Sequence, residues 1–145
     1  AGPRTEATAY RHLEEAFQRE LVVLKLTDPR FYHLDTCLTV LSGGWLMYYP
    51  GAFDAPSLGA IEARVPEQRR ILVSEVDAAV FACNAVNLDD EIFLHAISAS
   101  LRGALETAGF RIHETPLDEF MKAGGSAKCL TLKLYELDKK LPLKD

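Results

Sequence analysis

At 145 residues, with 48% hydrophobic and 26% charged residues, the chain has the length and composition of one soluble globular domain that can bury a core. A net charge of −5 with no basic cluster argues against nucleic acid or an anionic membrane surface as the main partner. Apolar runs such as WLMYY are far too short to span a bilayer. The first residues lack the charged-then-apolar layout of a signal peptide, so a cytoplasmic location is expected.

Taken in chain order, Thr5 followed by EATAYRHLEEAFQREL predicts a capped helix, with Ala9, Leu13, Phe17 and Leu21 at helical spacing. LVVLKLTDPRFYH predicts a strand ended by Asp28-Pro29. CLTVL, SGG and WLMYY predict a β-hairpin, because Gly43 and Gly44 supply the positive φ angles of a tight turn. A helix over Ser57 to Val65, a strand at RILVSE and a short helix at VDAAVFA follow. NAVNLDDEIFLH predicts a second hairpin turning at Asp89-Asp90, and SASLRGALETAG a helix that Gly109 stops. FRIHE is a strand, PLDEFMKAG a short helix, and CLTLKLYE opens a third unit. The tail LDKKLPLKD, residues 137–145, is expected to be flexible.

This order repeats. Ile71 and Ile112 hold equivalent places, as do Asp77 and Asp118, at an offset of about 41 residues, a length typical of repeat architectures. The unit is strand, strand, helix, strand. Two units with loose ends do not close a ring, so further units are expected beside residues 1–145, which otherwise read as a single domain.

Each unit opens its first strand after an irregular segment, and residues that do not look like core filler gather there: His33 and Asp35, then Asn84, then Cys129. In a pseudo-symmetric ring equivalent positions face one axis, so these would converge. Cysteine and histidine within reach of each other make a nucleophile and a proton carrier. If the segment is extended, His33 and Asp35 share a face, and a carboxylate there suits a planar guanidinium. Gly124 and Gly125 would keep the backbone beside Cys129 open to a substrate. On the residues alone, a cysteine opening a strand is also read as a packed small hydrophobe, and Asp35 as the holder of a turn.

Cys37, Cys83 and Cys129 are odd in number, far apart and without a CxxC pair; with four scattered histidines they form no zinc framework, and neither metal nor other cofactor is expected. Cys37 and Cys83 read as core. Asn84 reads as a cap on backbone groups at a strand start, with lining of the site as the alternative. His12, His95 and His113 read as surface residues.

The stretches FYHLDTCLTVLSGGWLMYYPGAFD and MKAGGSAKCLTL resemble the guanidino-group-modifying enzymes of the pentein superfamily: amidinotransferases, arginine deiminases and dimethylarginine dimethylaminohydrolases. The likeness runs from Arg4-Thr5 to about Leu134 and is to the C-terminal half of such an enzyme. It implies an α+β fold of ββαβ units around a pseudo-fivefold axis, the α/β-propeller, of which this chain holds an incomplete ring of two to three units. It also implies roles: Cys129 attacks the guanidinium carbon, His33 protonates the leaving amine and then activates water or an acceptor amine, Asp35 binds guanidinium nitrogens, and Arg4 meets the substrate α-carboxylate. The implied partners are an arginine-like small molecule and either the missing N-terminal half or a second copy. A further substrate-binding aspartate and an acidic partner for the histidine, usual in relatives, have no match here. Hydrolysis is the leading expectation, transfer to an amine the alternative. A non-catalytic interaction module is the rival of a different class, since an incomplete ring exposes strand edges.

Overall fold

The computed structural model describes residues 5–132 and 134, with Ala7 by its backbone alone. Arg4, residues 137–145 and three residues of the expected third strand, 133, 135 and 136, therefore lie outside the described residues.

Helix α1, Ala7–Phe17, begins after Glu6 rather than Thr5, makes no side-chain cap, and ends where Gln18 turns to φ 50°. Its apolar stripe does not enter the core: Leu13 and Phe17 are exposed. The stretch after it is not the expected strand. It makes one isolated bridge, Leu26 to Phe53, because its backbone partners are a turn and a helix start rather than another strand. Thr27 N–H donates to the Ala52 carbonyl, and Lys25 N–H to Ser57 Oγ.

The first ββαβ unit follows as β1 (Leu38–Leu41), β2 (Trp45–Tyr48), α2 (Ala55–Glu62) and β3 (Arg70–Leu72). The hairpin turns through Gly43 and Gly44 at φ 71° and 76°, as their position predicts. Helix α2 starts two residues earlier than expected because Asp54 accepts from Ser57 N–H and Pro56 suits a first turn. The expected strand RILVSE stops at Leu72, since Ser74 caps the connecting helix α3, Glu75–Ala79. The second unit is β4 (Val86–Leu88), β5 (Glu91–Leu94), α4 (Ala99–Thr107) and β6 (Arg111–Glu114), followed by the short helix α5 (Asp118–Met121). Its hairpin turns at Asp89-Asp90, and Gly109 at φ 96° ends α4.

Each unit makes a three-stranded sheet in chain order, with an antiparallel hairpin and a third strand parallel to the second. One cluster of buried side chains spans both units, with Phe31, Met47, Ile71, Ile92, Leu94 and Leu105 among its members. The two hairpins are tied at Asn87, whose Oδ1 accepts from both the backbone and the hydroxyl of Ser42. Among the described residues no helix is long and apolar enough to cross a membrane.

Candidate active site

The segments leading into the units come together, as the repeat predicts, but their local structure differs from expectation. Leu34–Thr36 forms a 3₁₀ turn rather than an extended strand. Thr36 fixes it by donating from both its N–H and its hydroxyl to the His33 carbonyl, at 3.2 and 2.6 Å. His33 and Asp35 nevertheless line one cavity of about 450 Å³, together with Tyr32, Leu34 and residues of α1 and the segment after it. Asp35 also lines a second cavity, of about 620 Å³, with Val86, Asn87, Lys128 and Cys129. Asp35 thus borders both.

Cys129 opens no strand among the described residues: it lies in the 3₁₀ turn Lys128–Leu130, with its side chain exposed. Its Sγ is 3.9 Å from Asp35 Oδ2. Asn84 connects the two. Its Nδ2 lies 3.2 Å from Asp35 Oδ2 and 3.2 Å from Cys129 Sγ, and its Oδ1 accepts from the N–H groups of Ser126 and Cys129. Asn84 is fully buried; it caps backbone N–H groups, as its residue type predicts, and also contacts both Asp35 and Cys129. Its position at the second lead-in was the sequence signal.

The two glycines serve a different purpose from the open approach expected of them. Gly124 is at φ 86°, and a Cβ there would come within 2.7 Å of the Tyr32 hydroxyl. A Cβ on Gly125 would lie 3.1 Å from the Cβ of Cys129. The glycines let the loop fold back on Tyr32 and on the turn that carries the thiol.

The other thiols are chemically muted. Cys37 is buried, and that burial, followed by the charges of Asp35 and Asp28, pushes its pKa up to about 12. Burial likewise raises the Cys83 thiol. Cys129 is the exposed thiol of the three. His33 is exposed, its ring edge-on to Tyr32 at 5.1 Å between centroids, and among the described residues no hydrogen bond joins it to Cys129. His95, expected at the surface, is buried; its Nδ1 accepts the N–H of Leu117 at the start of α5.

The repeated sheets and the converging lead-ins define the class: the chain has a pentein fold and is similar over most of its length to guanidino-group-modifying enzymes. No protein-family profile matches it. It is 53% identical over 135 residues to the bifunctional arginine dihydrolase/ornithine cyclodeaminase ArgZ of Synechocystis sp., which covers 93% of this chain and 19% of that protein. It is 37% identical over 134 residues to the dimethylarginine dimethylaminohydrolase of Mycobacterium tuberculosis, covering 92% and 44%. The crystal structure of the N-terminal domain of ArgZ, as a cysteine-to-serine form bound to substrate, superposes with a TM-score of 0.89 at 52% identity over 91% of this chain and 49% of that one. An asparagine-to-serine form of that domain, covalently bound to a reaction intermediate, gives 0.91 at the same identity over 94% and 50%. The chain therefore spans about half of the domain it matches, and less than half of the two relatives compared in sequence.

Proposed function

We propose that the chain carries the nucleophile-bearing half of a hydrolase acting on the guanidinium group of arginine. The observation that supports this most directly is the carboxylate of Asp35 3.9 Å from the Cys129 sulfur, at the edge of an open cavity. A carboxylate there holds a planar cation by paired hydrogen bonds and sets its central carbon against the thiol. In this reading the Cys129 thiolate attacks the guanidinium carbon, forming a C–S bond. The C–N bond then breaks, and the leaving amine takes a proton from His33. His33 next removes a proton from water, whose oxygen displaces the sulfur and leaves a ureido product with the thiol restored. Arg4 would meet the α-carboxylate. Arginine is favoured over its dimethylated form because the likeness to ArgZ exceeds that to the dimethylaminohydrolase. Residues 1–145 act in this reading as one part of the pentein domain, and the remaining units, from the rest of the protein or a second copy, complete the substrate cavity.

The test is mass-spectrometric mapping after brief exposure to 2-chloroacetamidine, a guanidinium-like alkylator, with iodoacetamide as the neutral control. The expected result is labelling at Cys129 that arginine suppresses and that Asp35→Ala abolishes for the cationic reagent alone. A labelling pattern indifferent to reagent charge removes the proposal. In the complete enzyme Cys129→Ser is expected to lower turnover by roughly a thousandfold or more, as loss of a covalent nucleophile does. Counting ammonia per arginine distinguishes one hydrolysis at that carbon from two.

A further inference from the structure

The residue that joins the two reactive groups comes from neither of their segments. Asn84 lies 49 residues after Asp35 and 45 before Cys129, at the lead-in to the second unit, with no exposed surface. A carboxamide has two donor hydrogens and two acceptor lone pairs, and here all are engaged. Oδ1 takes the N–H groups of Ser126 and Cys129, each at 3.2 Å. Nδ2 faces the Asp35 carbonyl at 3.3 Å, Asp35 Oδ2 at 3.2 Å and Cys129 Sγ at 3.2 Å. The amide cannot be turned over, since that would set its NH₂ against two backbone donors and its oxygen against a carboxylate. The main chain adds a further tie, with Lys128 N–H donating to the Asn84 carbonyl.

We propose that Asn84 is the positioning residue of this site: its one NH₂ group, shared between the Asp35 carboxylate and the Cys129 sulfur, holds two groups together that would otherwise repel each other in their charged forms. The proposal rests on reading Cys129 as the nucleophile. Asn84 is fully buried and does not line the cavity that Asp35 and Cys129 border, so it acts through them rather than on the substrate. An N–H directed at sulfur favours the thiolate, whereas the neighbouring carboxylate opposes it. The amide offsets that opposition and leaves the carboxylate free to keep an oxygen for a cation. The charged and titratable groups that line the cavity beside this thiol are Asp35, from the turn before β1, and Lys128, from its own turn; His33 lines the other cavity that Asp35 borders.

Asn84→Asp tests this with little change of shape: the carboxylate still accepts from Ser126 and Cys129, but the donor is gone and a negative charge is added. The readout is the pH profile of Cys129 alkylation by iodoacetamide in the full chain, with buried Cys37 and Cys83 as internal references. The profile is expected to move to higher pH by about a unit or more, which makes labelling at pH 7.5 about tenfold slower. A profile unmoved in a variant that melts like the wild type overturns the proposal, because in this reading both the lost donor and the added charge face the sulfur. Asp35→Asn supplies a second arm that does not depend on the fold of the first variant. With the competing charge removed, the profile should shift to lower pH, and one that stays in place also overturns the proposal. Iodoacetamide needs no guanidinium recognition. Failure of the arginine reading, seen with 2-chloroacetamidine, is thus distinguishable from failure of this one.

Discussion

The two ββαβ units share a frame and differ in what they hang on it. In the first, β2 and β3 pair Leu46 with Arg70, Met47 with Ile71 and Tyr48 with Leu72. In the second, β5 and β6 pair Glu91 with Arg111, Ile92 with Ile112 and Phe93 with His113. The middle pair is apolar in both, and Met47 and Ile92 are fully buried. The outer pairs diverge: Arg70 is mostly buried and bound to Glu62, whereas Arg111 is exposed and bound to Asp90 and Glu91. The starts of β3 and β6 are 41 residues apart, but those of β1 and β4 are 48 apart, because the first unit has a longer hairpin, an extra turn at Pro50–Ala52 and a longer connection with a turn at Glu67–Arg69 before β3. A repeat of this kind conserves the column that packs and leaves its edges free. The lead-ins are the edges that meet, so chemistry can accumulate there without disturbing the core.

The largest expected contrast is among the three lead-in cysteines. Each lead-in carries one, Cys37, Cys83 and Cys129, yet only the last is exposed. At pH 8 a thiol held near 12 is ionised to roughly one part in ten thousand. Native-state alkylation of Cys37 and Cys83 is therefore expected to lag that of Cys129 by about three orders of magnitude or more, with all three equal in denaturant. Comparable rates in the folded protein would mean that the lead-ins open, and the unit comparison would lose its rigid frame.

Next in size is the pair Asp77 and Asp118, which the 41-residue offset makes equivalent and the structure makes unlike. Asp77 is 2% exposed and accepts from the Ser74 hydroxyl and from both the N–H and the hydroxyl of Ser98. It thereby ties the start of α3 to the cap of α4 in the following unit. Asp118 has a side chain 76% exposed and, among the described residues, pairs with His95 Nε2 at 3.8 Å. No following unit among the described residues offers it a Ser98. Asp77→Ala leaves buried donors unpaired and should cost about 2–4 kcal/mol. Asp118→Ala should cost less than about 0.5 kcal/mol, as exposed ion pairs do. Urea denaturation of both variants measures the difference; similar values would mean that a unit needs no successor to brace it.

Much of this was legible in the chain because glycine and serine punctuate it. Gly43, Gly44 and Gly109 marked turns at positive φ, and the alternation of strands and helices gave the unit and its repeat. The convergence of Asp35 and Cys129 followed from that repeat. What stayed hidden depended on neighbours distant in sequence. The strand expected at residues 21–27 failed because its partners are a turn and a helix start. Gly124 reads as clearance for a substrate because nothing in the sequence places the Tyr32 hydroxyl against it. His95 looked like a surface residue, being next to polar positions, until α5 folded over it. Asn84 stands out at its lead-in, but its amide belongs to the thiol only because two segments more than 40 residues away meet it.

The smallest effect sharpens the comparison at the outer pairs. Glu91 accepts hydrogen bonds from Arg111 and His113, the residues its own sheet register brings across, and these hold its carboxyl at about 2 against an ordinary 4.5. A carboxyl depressed by folding contributes stability that is complete above about 4.5 and fades as the pH falls through 2. Glu91→Gln should therefore flatten the acid limb of the melting temperature between those values and leave the two proteins alike below it. The difference should shrink in high salt, since the carboxylate and both partners are solvent-facing. The first unit has Leu46 where the second has Glu91, and its arginine reaches Glu62 on a helix instead. Glu62→Gln is the matched variant for the first unit. If it flattens that limb as much as Glu91→Gln does, the outer positions of the two sheets are electrostatic equivalents after all, and the repeat extends further than its packed column.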